Sequence, residues 1–109
     1  MIRFLIILFL FISTSQSLVA GETDKAYESY INSWQENIIL ARKMLTDAEN
    51  SLSNGDMLAS CTSQRKASIY GLEATRSRIK AFRVVGDNSQ IELLEEGLKK
   101  WKALGDFCG

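Results

Sequence analysis

The chain contains no histidine and no proline, and only two cysteines among its 109 residues. Without histidine there is no imidazole for an acid–base relay or a catalytic triad. Two cysteines alone cannot assemble a four-ligand cysteine/histidine zinc site. Charge of one sign is lacking too: 13 basic residues balance 13 acidic ones, so there is no basic excess of the kind that marks a nucleic-acid partner. These absences point away from an enzyme, a cofactor, a metal and a nucleic-acid ligand. The length suits one small domain.

The first twenty residues are of a different kind. Met1-Ile2-Arg3 carries one positive charge, Phe4 to Ile12 is an unbroken run of large hydrophobes, and a polar stretch then leads to Leu18-Val19-Ala20-Gly21. A basic start, a short apolar run and a small-residue exit describe a secretory signal peptide over residues 1–21, cut after Ala20 or Gly21. The apolar run falls well short of the roughly 20 residues of a membrane span. Membrane contact, if any, is therefore expected at the surface rather than as an integral span. Removing the leader takes away Arg3 and leaves a domain over 22–109 with a net charge of about −1. A periplasmic or secreted location follows, and there Cys61 and Cys108 are expected to form a disulfide.

The rest of the chain has a helical period. Tyr27, Ile31, Trp34, Ile38, Ala41, Leu45, Ala48 and Leu52 follow one another at alternating steps of four and three, which predicts a helix over about 24–52. Thr23 is placed to cap its start and Asn54-Gly55 to end it. A second helix over about 57–84, capped by Asp56, presents Leu58, Cys61, Ser68, Leu72, Thr75, Ile79 and Phe82 inward. Small residues, including Gly71 and Ala67, fill the middle of this helix and suit close approach of an aromatic neighbour. A third helix over about 89–107 opens on Ser89 and Glu92, spaced as a capping box, and its seam runs through Ile91, Leu94, Leu98, Trp101, Gly105 and Cys108. Leu93 and Leu104 widen that face, as a helix with two neighbours would need. Short connections make successive helices antiparallel, so the fold class is all-α: an up-down-up three-helix bundle stapled by one disulfide.

Folding the last two helices back around Gly86 tests the staple. Cys61 and Cys108 then differ by three positions along the helix axis, about 4.5 Å, and both fall on inward seams. Closing a loop of this length stabilises by about 4 kcal/mol in the chain-entropy model. A structural bridge is favoured over a redox pair, which takes the Cys-x-x-Cys form.

Two surfaces are candidates for function. Ile39 and Leu40 lie about 130° from the seam of the first helix, and Tyr70 points away from the seam of the second. An adjacent aliphatic pair of this kind can anchor a partner protein or a second copy of the chain. The second helix also carries Arg65, Lys66, Arg76, Arg78, Lys80 and Arg83 against Glu73 alone. Lys66, Arg78 and Lys80 splay sideways or outward and form a candidate face for an anionic surface or membrane. Arg65, Arg76 and Arg83 come level with Asp106 and Asp47, with Glu95 and Glu96, and with Asp24 and Glu28, so flank salt bridges are the simpler role for them. Ser63 to Lys66 matches S-x-x-K, but its companion motifs S-D-N and K-T-G are absent. Gly105 to Gly109 matches G-x-x-x-G outside any apolar span. The adjacent carboxylates Glu95 and Glu96 diverge by 100° on a helix and cannot act as a dyad. The expectation is an exported protein-binding module (adaptor, inhibitor, immunity-like or chaperone-like) that binds another envelope or secreted protein. The alternative is an anionic surface or membrane binder using Lys66, Arg78 and Lys80.

Overall fold

A computed structural model describes the backbone of residues 2–108 and the side chains of residues 23–108. The signal segment 1–21 and its cleavage bond lie outside the residues described with side chains. Three helices follow in order: α1 (Ile2–Ser53), α2 (Met57–Val84) and α3 (Ile91–Asp106). Up-down-up order and the absence of strands among the described residues match the all-α expectation.

Both connections are closed by a glycine in the left-handed region, Gly55 at φ 77° and Gly86 at φ 72°. At the first, the Gly55 and Asp56 amides donate to the Leu52 and Ser51 carbonyls; at the second, the Gly86 and Asp87 amides donate to those of Arg83 and Phe82. The paired bonds satisfy carbonyls that a helix end leaves open. Asp56 caps α2 as expected, accepting from the Ala59 amide at 3.0 Å. Two other caps differ from expectation. Thr23 lies within α1 rather than at its start. Ser89 does not pair with Glu92: α3 begins at Ile91 after Gln90, and the Ser89 hydroxyl donates instead to Asp87 at 2.6 Å. The Ser89 amide donates to the same oxygen, and these two bonds hold the Asp87 carboxyl below its ordinary pKa. A short polar side chain at a turn serves its own loop in preference to the helix beyond it.

Helix α2 is central. Its buried residues are nearly all small, Ser60, Ala67, Ser68, Gly71, Ala74, Thr75, Ser77 and Ala81, with Ile79 the one larger member. Ser60, Ala67, Ala74 and Ala81 recur every seventh position, and Ser60 donates to the Ala48 carbonyl of α1 at 2.9 Å. Higher on the same seam the Ser33 and Ser77 hydroxyls bond at 2.9 Å. One residue further along, Cys61, Ser68 and Thr75 form the seam for α3. Cys61 is joined to Cys108, Ser68 donates to the Trp101 carbonyl at 2.6 Å, and the Thr75 methyl faces Gly97. No fully buried large side chain occurs among the described residues. Leu58, expected inward, is 80 % exposed, because the second helix meets its neighbours through small residues on other sides.

The two seams stand about 100° apart around α2, wider than the ~60° of a closed equilateral bundle. Accordingly, among the described residues no Cα of α1 comes within 8 Å of a Cα of α3. Leu93 and Leu104 were expected to meet a second neighbour, yet α3 has no buried residue at all. Its apolar stripe is half-covered at most, and the backbone it packs against within 8 Å among the described residues is that of α2.

Gly71 is the tightest point, since a Cβ there would overlap the Trp101 indole ring. Gly71→Ala is expected to lower stability by about 1–3 kcal/mol, overpacking outweighing the ~1 kcal/mol gain in helix propensity. Thermal unfolding measures this, and a neutral or stabilised variant would mean that Trp101 does not seat on Gly71. Cys61→Ser is expected to cost about 2–5 kcal/mol in the same assay.

Candidate functional site

No group of three metal-ligating side chains occurs among the described residues, and no helix among them is long and apolar enough to cross a membrane. The Cys61–Cys108 disulfide, with Cα atoms 5.6 Å apart, fits an oxidising, non-cytoplasmic compartment.

The surface around Ile39, Leu40 and Tyr70 divides in the structure. Ile39 is 63 % exposed on the back of α1. Leu40 lies nearer the α1–α2 junction, and the antiparallel pairing that joins Ser33 to Ser77 brings it level with Tyr70. Tyr70 is half-buried and lines a depression of about 240 Å³ with Met44, Lys66 and Ile69. Met44 and Ile69 complete this edge and were not singled out in the sequence. Ile69 is three residues before Leu72 on the apolar pattern and gives no signal until the pairing of the helices is known.

The basic residues of α2 do not gather into one face. Lys66 borders the Tyr70 edge, Lys80 stands 6.0 Å from the Tyr30 ring centre, and Arg78 lies between the other two cations in position but not in direction. Arg78 does not splay outward. It is half-buried, its guanidinium 4.8 Å from the centre of the Trp34 ring and 5.7 Å from that of Phe82. The flank pairs also differ from expectation. Arg83 meets Glu95 at 3.8 Å rather than Asp24 or Glu28, and Arg65 donates to the Cys108 carbonyl at 3.0 Å. Arg76 has no carboxylate within 4 Å among the described residues.

A second apolar surface lies on the side of α3 that is turned toward α1, where no Cα pair of the two helices comes within 8 Å among the described residues. Arg83 and Glu95 mark the outer flank of α3, away from α1. On the opposite flank Gly97, Lys100, Trp101 and Leu104, all of α3, line a depression of about 370 Å³. Leu93 and Phe107 extend the same stripe at steps of four and three and are 69 % and 86 % exposed. From α1, Trp34 faces the gap beside Ile31, Ile38 and Leu45, all half-buried. The floor is α2: Gln64, which donates to the Leu104 carbonyl at 2.9 Å, then Gly71 under Trp101, then Arg78. A groove results, with aromatic and aliphatic walls and a cation on its floor.

Comparison with protein-family models, with curated proteins and with solved structures finds no match to this chain.

Removing the Arg78 cation is expected to alter the fluorescence of Trp34 while leaving the fold intact. Cation–π contacts contribute about 0.5 to 2 kcal/mol as water is excluded from them, so Arg78→Gln should shift the emission and lower stability by no more than about 2 kcal/mol. An unchanged spectrum would place Arg78 away from the ring.

Proposed function

We propose that this chain is a small exported protein-binding module, periplasmic or secreted, that docks its partner in the groove between α1 and α3. The observation that carries this is the half-covered stripe of α3. A 16-residue amphipathic helix has no buried residue, and Leu93 and Phe107 stand in solvent about 12 and 9 Å along it from Trp101. Contiguous apolar surface of this kind, with polar residues at its border, characterises sites of protein association. Aromatic side chains such as Trp34 and Trp101 are the type that dominates binding energy when a partner excludes water from them. The depression at the Leu40–Tyr70 edge is smaller, about 240 Å³ against about 370 Å³ on α3.

Photo-crosslinking from position 93 in an extract of the source organism's envelope and medium is expected to join one protein in near-stoichiometric amount. Leu93→Asp and Leu104→Asp should reduce its recovery at least about tenfold, since truncating or charging central contacts typically costs more than ~1.4 kcal/mol. Ile39→Asp and Leu40→Asp should leave recovery unchanged. The reverse pattern would move the docking surface to the Leu40–Tyr70 edge.

A further inference from the structure

We infer that the occupant of the α1–α3 groove is an amphipathic helix of a partner protein that carries a carboxylate onto Arg78. This rests on the groove being the docking surface and adds the chemistry of what enters it.

The charge of the groove selects the sign. Arg78 is a half-buried guanidinium with aromatic rings on two sides and no carboxylate within 4 Å among the described residues. Lys100 stands on the α3 wall, and Arg42 falls on the facing flank of α1 at the level of Trp101; neither is ion-paired among the described residues. The nearest acidic side chains stand at the rim rather than on the floor: Glu92 and Glu96 border Leu93 on α3, and Glu28 lines the back of α1 with Asn32 and Glu36. Covering Arg78 with an apolar partner would strip water from a cation and return nothing, whereas a carboxylate restores its solvation through charge-assisted hydrogen bonds.

The shape of the groove selects the element. Its walls are two helices presenting side chains at steps of three and four, and Leu93 to Phe107 spans about 21 Å, the length of a helix of four turns. An extended segment would bring a row of backbone N–H and C=O groups into walls of Trp34, Ile38, Leu93, Trp101 and Leu104 that offer almost no partners. A helix satisfies its own backbone and enters with apolar anchors at i, i+3, i+4 and i+7. Gly97 lines the depression on the α3 wall and adds no side chain of its own to it.

The test uses the full chain, exported and oxidised, with two synthetic 16-residue helical peptides sharing one Leu/Ile stripe. One carries glutamates flanking the stripe and the other lysines. Binding is followed by tryptophan fluorescence and by amide chemical shifts. The glutamate peptide is expected to bind at least about tenfold more tightly than the lysine peptide, as one desolvated charge pair allows. Arg78→Gln should abolish that preference, Arg78→Lys should keep most of it, Leu93→Asp should abolish binding, and Ile39→Asp should change nothing. Thermal melts of each variant separate lost binding from lost fold. Equal binding of both peptides, binding of neither, or an unchanged preference in Arg78→Gln overturns the inference. So does a dimer in sedimentation equilibrium that Leu93→Asp dissociates, since a second copy would then be the occupant. If position 93 crosslinks a partner while the peptides fail, the acidic helix is wrong and the groove stands. If groove variants leave partner capture intact, the groove itself is wrong.

Discussion

Everything in this fold depends on how closely α1 and α3 approach α2. Apart from Ile79, alanine, serine, threonine and glycine occupy the buried positions of α2, and they set the distance at which its neighbours can lie. Small side chains forgo much of the area burial that drives folding, since stabilisation scales with apolar surface removed from water. They return part of it as backbone proximity. Ser60 and Ser68 reach carbonyls on the facing helices, and every buried side-chain polar atom among the described residues has a hydrogen-bond partner. The indole of Trp101 laid on Gly71 is the extreme case, a large ring accommodated because the facing residue has no side chain.

A core of small residues explains why the disulfide sits where it does. The last helix is short, comes within 8 Å of the backbone of α2 alone among the described residues and buries no residue fully, so packing holds it weakly. Cys61–Cys108 ties its far end to the start of α2, and Arg65 and Gln64 add bonds to the Cys108 and Leu104 carbonyls within the same turn. At the other end Gly86 turns the chain sharply enough to return α3 along α2. Held at both ends, α3 keeps its register without needing a second neighbour.

The period of the apolar residues made the three helices, their antiparallel order and the disulfide legible before any coordinates. Each of these depends on local spacing or on counting outward from a turn, and the three-residue offset of the cysteines around Gly86 is within the adjustment a helix end makes. The angle between the two seams of α2 was not legible in the same way. Ser60 and Cys61 are adjacent in sequence and both suit an inward face; which of them meets which helix is decided by packing across the whole length. From that angle follow the open groove, the exposure of Leu93 and the inward turn of Arg78. An arginine at that position is equally compatible with a flank or a floor until the place of Trp34 is known. The Ser89 cap failed for a local reason, because Asp87 competes for the same hydroxyl.

The staple and the unfilled groove are two sides of one arrangement. A small domain without a covalent link has to close its helices on one another to gain enough buried surface. Here the link stabilises the folded state through the chain rather than through contact, so the α1–α3 interface need not form within the molecule. Surface that an unstapled bundle would spend on its own core remains available, and it is held rigid: Trp34 stacks on Arg78, Trp101 on Gly71, and Leu104 is fixed through its carbonyl. Rigid aromatic surface binds at lower entropic cost than surface that must first be ordered. In the proposed function such a groove would lose little on receiving a third wall from outside, and the Arg78 cation, without a carboxylate within 4 Å among the described residues, would favour a wall that brings one.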